Sequence, residues 1–88
     1  MLFRYFHNNN MYTFYLDNIN SSFIRVVNND TGKTTFIRVF PSDEYTIKGN
    51  KKSISAAGGA RGLFSFLADC VKADFMTAYV NRIIQDYC

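Results

Sequence analysis

Apolar and polar positions alternate along the first half of this chain and recur at helical spacing along the second. The clearest strand signal lies at residues 23–40, where Phe23-Ile24-Arg25-Val26-Val27 and Thr35-Phe36-Ile37-Arg38-Val39-Phe40 flank Asn29-Asp30-Thr31-Gly32. β-Branched and aromatic runs favour strands, and asparagine, aspartate and glycine tolerate the φ > 0 conformations of a tight connection. The stretch therefore predicts a β-hairpin with a four- or five-residue loop. The tetrapeptide Phe-Ile-Arg-Val stands once on each side of the turn, at 23–26 and at 36–39. With Asn29 opposite Gly32, Ile24 and Val26 share a face with Thr35, Ile37 and Val39. The other face then carries Phe23, Arg25, Val27, Phe36, Arg38 and Phe40, each arginine opposite a phenylalanine. A bulge at Gly32 would slip the pairing by one and mix both faces. The first register segregates the side chains better and is the expected one.

Upstream, residues 11–16 place Tyr12, Phe14 and Leu16 on one face of a strand, and the Asp17-Asn18 and Asn20-Ser21-Ser22 clusters turn the chain into the hairpin. Leu2–His7 alternates weakly before Asn8-Asn9-Asn10 breaks it, so residues 1–10 read as an edge strand or a loose tail. Pro41-Ser42-Asp43 stops the hairpin's second run, because proline lacks a ladder donor. Residues 44–48 form a short strand with Tyr45 and Ile47 inward, and Gly49-Asn50-Lys51-Lys52 reads as a polar turn closing the β half.

Beyond it, Leu63, Phe66, Leu67, Cys70 and Val71 recur at i, i+3, i+4, i+7 and i+8, one face of a helix. Met76, Tyr79, Val80, Ile83 and Tyr87 make a second stripe. At about 100° per residue the two stripes lie on nearly opposite sides of one continued helix. A break near Lys72-Ala73-Asp74, with Asp74 capping the second helix, lets both stripes face one core. Leu67 and Ile83 are the expected core anchors. The fold class that follows is α+β: one domain over 1–88, with an antiparallel sheet of three to five strands within 11–48 (plus 1–10 if ordered), then two C-terminal helices within 60–88.

Composition adds a surface. Of the 88 residues 48% are hydrophobic, and nine Phe and six Tyr supply more ring area than a core of this size hides. Some rings must therefore lie outside, where a contiguous patch marks a partner or an oligomer interface. The net charge of +3 comes from basic residues spread along the chain, a weaker concentration than dedicated nucleic-acid binders show. Cys70 and Cys88 fit neither a disulfide framework nor a metal-ligand spacing and read as reduced thiols. Arg4 follows Leu2-Phe3 at once and no long apolar segment occurs, so a soluble, cytoplasmic protein without membrane association is expected.

Candidate chemistry is sparse. His7, the single histidine, has no orienting partner in its neighbourhood, and the seven acids fall at turn or helix-surface positions. Ser65 does not sit in Gly-x-Ser-x-Gly, and no Cys/His/Asp cluster spells a metal site. No enzyme, cofactor or metal is expected. Gly58-Gly59-Ala60-Arg61-Gly62 opens the first helix, and with Lys51 and Lys52 just before it could receive a phosphate or an acidic side chain. It has neither a Walker lysine nor Gly-x-Gly-x-x-Gly, and small residues there also let the helix sit close to the sheet. The stronger candidate is the hairpin face bearing Phe23, Arg25, Phe36 and Arg38. Aromatics beside arginines stack bases in some RNA-binding domains and also form protein-interface hot spots. The absence of RNP spellings and the β-before-α order favour a protein partner.

The short chain, its many asparagines and its sheet-then-helices layout resemble the small proteins that phages encode to block host defence, anti-CRISPR proteins among them. The resemblance covers layout along the whole chain and includes no motif. It implies a protein that occupies a surface of a host nucleoprotein complex in the host cytoplasm; the net charge of +3 departs from the acidic, DNA-mimicking members. The expected function is a protein-interaction module of this kind. The alternative is a small basic nucleic-acid-binding protein using the Arg/Phe face, and a homodimer formed through the exposed rings is a third reading.

Overall fold

The computed structural model describes residues 1–39, 44–47, 50–53, 59–72 and 77–88. Strands β1 (Leu2–His7), β2 (Asn10–Tyr15), β3 (Phe23–Asn28) and β4 (Thr34–Arg38) form an antiparallel meander in that spatial order. Two further strands, β5 (Glu44–Ile47) and β6 (Asn50–Ser53), pair with each other. Helices α1 (Gly59–Lys72) and α2 (Ala78–Tyr87) complete the α+β layout.

Local chemistry sets each turn of the meander. Asn8 and Asn9 both take left-handed conformations, φ 48° and 65°, between the paired His7 and Asn10, which is the requirement of a primed hairpin turn. In the second connection Asn18 Oδ1 accepts from the Asn20 N–H at 2.9 Å, and Ser21 Oγ accepts from the Phe23 N–H at 3.0 Å. In the third, the Asn28 N–H donates to the Lys33 carbonyl at 2.9 Å, and Asn28 Oδ1 accepts from the N–H groups of Asp30 and Thr31. Gly32 closes that loop at φ 78°.

The resulting register pairs Ile24 with Ile37, Val26 with Thr35, Arg25 with Phe36, and Phe23 with Arg38. This is the register expected from side-chain segregation. Within residues 1–10, Leu2–His7 is paired as the edge strand, Asn8–Asn9 form the turn and Asn10 opens β2.

The helices cover one face of the sheet. Phe14, Leu16, Ile24, Val26, Ile37 and Val39 are buried against Ala60, Leu63, Phe64 and Leu67 of α1 and Val80 and Ile84 of α2. Phe3 stacks on Phe14 with ring centroids 4.7 Å apart and meets Phe64 at 5.2 Å. The Tyr5 hydroxyl donates to Asn81 Oδ1 at 2.6 Å, tying the edge strand to α2. Phe66 meets Tyr79 edge-on at 5.6 Å, joining the helices.

Three expectations are corrected. Asn50-Lys51-Lys52 is not a turn: it belongs to β6, with Thr46 opposite Lys51 and Tyr45 opposite Lys52. Pairing across a short connection here overrides the low strand propensity of asparagine and lysine. The buried stripe of α2 runs through Val80 and Ile84, leaving Ile83 partly buried at the core's edge and Tyr87 exposed. Tyrosines prefer a boundary where the ring is packed and the hydroxyl wet, which turns the Tyr79–Ile83–Tyr87 side toward the rim. In α1, Phe64 joins the core, whereas Phe66 of the expected stripe is only partly buried. The described part of α2 has Thr77 at its N-cap position, without a side-chain cap bond. Asp74 and Met76 lie outside the described residues, as do Phe40 and Gly58. Among the described residues no helix is long and apolar enough to cross a membrane.

Candidate functional site: the uncovered sheet face

Successive residues of a strand point to opposite faces, so burying Phe3, Tyr12, Phe14, Ile24, Val26 and Ile37 commits their neighbours to the other side. The register then aligns those neighbours in rows. One row crosses all four strands: Leu2 opposite Tyr15, Tyr15 opposite Arg25, Arg25 opposite Phe36. At strand spacings near 4.8 Å it is about 14 Å long. A second row runs Arg4, Thr13, Val27, Thr34. Phe6 faces Met11 at one end of the face, and Phe23 faces Arg38 at the other.

No described element covers this side. Phe36 keeps 64% of its surface exposed, Phe6 61%, Leu2 55% and Phe23 45%, and Arg4 and Arg38 are exposed as well. Thr13 is the exception at 2%, because Asn29 of the neighbouring loop closes over it and donates Nδ2–H to its Oγ1 at 2.7 Å.

Arg25 organises the middle of the face. Its guanidinium lies 4.0 Å from the centre of the Tyr15 ring. The same group donates from Nε and Nη2 to the two oxygens of Asp17, each at 2.9 Å. These hydrogen bonds hold the Asp17 carboxyl below the usual carboxylate value and raise the Arg25 guanidinium further. The bidentate geometry fixes the long arginine flat against the sheet. It also sets a carboxylate beside the rings, so the face is aromatic and mixed in charge rather than uniformly cationic.

The structure thus brings together Phe23, Arg25, Phe36 and Arg38, the four hairpin residues the pattern singled out. It does not add Arg61, an exposed residue of α1 in the layer on the other side of the sheet. Lys51 and Lys52 lie in β6, outside the four-stranded sheet, and their side chains fall outside what is described. Gly59 opens α1 at φ 67°, and the next residue, Ala60, is buried in the core, the arrangement expected where small residues admit a helix to a sheet. His7 sits on the covered face beside Tyr5 with its Nε2 shielded from solvent.

Sequence reasoning missed Leu2, Arg4, Phe6, Met11, Tyr15 and Asp17 on this surface. The alternation in Leu2–His7 held the signal, but it selects a face only once the Asn8–Asn9 turn and the pairing of β1 with β2 are known. No protein-family model matches the chain, and no curated protein or solved structure is significantly similar to it.

Proposed function

We propose that this protein is a non-catalytic interaction module that uses its uncovered sheet face to occupy a surface of a larger protein assembly. The observation that carries this is the set of rings held outside on regular, paired strands, Phe6, Phe23 and Phe36 among them, around an arginine already fixed in place. Rings on a rigid backbone bury large area on binding at little entropic cost, and aromatic and arginine side chains supply most hot spots. Asp17 favours a protein over nucleic acid, because its carboxylate sits beside the central cation and repels phosphate. The size and layout shared with small phage inhibitors support a narrower form: a cytoplasmic blocker of a host nucleoprotein complex, of the anti-CRISPR type. Two free cysteines suit a reducing compartment.

Affinity purification from cells of the native host, with and without nuclease, tests the reading. A protein partner should survive nuclease and be lost with the Phe23→Ala/Phe36→Ala double variant. A partner that disappears on nuclease treatment, or binding whose logarithm falls steeply with the logarithm of salt, would overturn it in favour of nucleic acid.

A further inference from the structure

Besides its face, the sheet presents an edge. In the β1–β2 ladder the Leu16 N–H donates to the Met1 carbonyl at 2.9 Å, and the tight Asn8–Asn9 turn makes His7 and Asn10 the bonded pair at the other end. Bonded and non-bonded pairs alternate along an antiparallel ladder, so Phe3 and Tyr5 aim their backbone groups at β2. Leu2, Arg4 and Phe6 aim theirs away, and among the described residues nothing bonds to those three N–H and three C=O groups. The edge is continuous over Leu2–His7, without proline or bulge, and carries a single charge, Arg4. An edge this regular is a template for another strand.

The charge decides which strand. Two copies related by a twofold axis would pair antiparallel, and the register matching all three outward residues sets Arg4 against Arg4 of the second copy. Like charges directly opposite disfavour that dimer. An acidic residue at the same place is favoured, with apolar residues two positions to either side meeting Leu2 and Phe6. We infer that β1 receives an extended segment of a protein partner as a fifth strand, with an acidic residue opposite Arg4 flanked by apolar ones. This rests on the interaction-module reading and names what one part of the partner must look like: the added side chains would extend the row of Leu2, Tyr15, Arg25 and Phe36.

Amide exchange measured by NMR on the whole chain provides the test. The probe is a nine-residue end-blocked peptide of threonines alternating with a valine–glutamate–valine set, and its control has lysine for glutamate. In the free protein the Leu2, Arg4 and Phe6 amides should exchange fast while Phe3, Tyr5 and His7 are protected. The glutamate peptide should protect the first three, the lysine peptide should bind roughly fivefold more weakly, and Arg4→Glu should invert that order. Arg4→Pro removes an outward donor without touching the ladder and should abolish binding.

Absence of protection at Leu2, Arg4 and Phe6, or equal affinity for both peptides, overturns the inference. Concentration-dependent protection without peptide also overturns it, with a second copy as the occupant. If the edge stays unprotected while a nuclease-resistant partner is still lost with Phe23→Ala/Phe36→Ala, the edge inference alone falls. If the peptide protects the edge but no partner depends on the two rings, the face reading falls and the edge stands.

Discussion

The two faces of the four-stranded sheet are written in the same strands, one residue apart, and have opposite fates. On the covered face Phe14, Ile24, Val26 and Ile37 are almost wholly removed from water beneath α1 and α2. On the uncovered face their neighbours Phe23 and Phe36, no less apolar, remain about half exposed or more. Hydrophobicity alone does not separate them, because both faces carry rings. What separates them is continuity: the covered face is aliphatic and aromatic from strand to strand, whereas the other is interrupted by Arg4, Arg25 and Arg38. Helices packed there would have to take guanidiniums out of water, the Arg25–Asp17 ion pair included, and desolvation can exceed what such a pair returns. The arginines keep one face open at the cost of exposing rings, and it is those rings that the proposed partner would use.

The largest effects expected belong to the covered face. Leu67→Ala and Ile84→Ala should each lower unfolding free energy by about 2–5 kcal/mol in denaturant titrations, whereas Ile83→Ala should cost roughly 1 kcal/mol. Equal losses at Ile83 and Ile84 would mean that α2 is rotated from the orientation described. On the uncovered face the consequence moves from stability to binding. Phe23→Ala with Phe36→Ala should weaken partner binding by about 2 kcal/mol or more while changing stability by less than about 1 kcal/mol. A double variant that unfolds would show that these rings belong to the core and abolish the distinction between faces.

The turn that keeps the faces apart can be tested separately. Gly32 has φ 78° and open space where a Cβ would lie, so Gly32→Ala introduces backbone strain without a clash. It should cost about 1 kcal/mol and leave the Ile24–Ile37 pairing intact by cross-strand NOEs. Loss of that pairing would reveal a register held by the turn alone and not by the buried face.

How much of this was legible depends on where the side chains pointed. The β3–β4 register was readable because, of the two registers the turn allows, only that with Asn29 opposite Gly32 gathers Ile24, Val26, Ile37 and Val39 together, and four residues of the face followed from it. β1 was not, since Leu2 and Phe6 on one side and Phe3 and Tyr5 on the other are equally apolar, so alternation alone could not say which side faced in. The helix break was readable from two stripes that cannot share a face. The phase of α2 was not, because Ile83 and Ile84 are adjacent, and the choice was made by tyrosines seeking a wet boundary. The Arg25–Asp17 pair joins residues on either side of a turn, and nothing in spacing anticipates it.

That pair supplies the smallest effect and the sharpest probe of the open face. Asp17 is held below its ordinary value of 3.8 chiefly by the hydrogen bonds from Arg25; partial desolvation opposes this and the guanidinium's charge assists it. A carboxyl whose folded pKa is depressed binds its proton more weakly folded than unfolded, so the pair's contribution is fully present above the unfolded value. It fades as pH falls below about 3.8 and is gone once pH has passed the lower folded value. The thermal midpoint of the wild type should therefore exceed that of Asp17→Asn by a constant margin from neutral pH to about pH 5, and the margin should close below that. Salt should narrow it throughout, since the pair is exposed. A margin that persists at the lowest pH would mean that Asp17 acts through its place in the turn and not through its charge. Asp17→Asn also leaves Arg25 unneutralised on Tyr15, so the variant should gain affinity for phosphate-bearing polymers while losing none for an apolar surface. If instead the wild type already binds such polymers as well as the variant does, the carboxylate does not select against nucleic acid, and the preference for a protein partner loses its electrostatic basis.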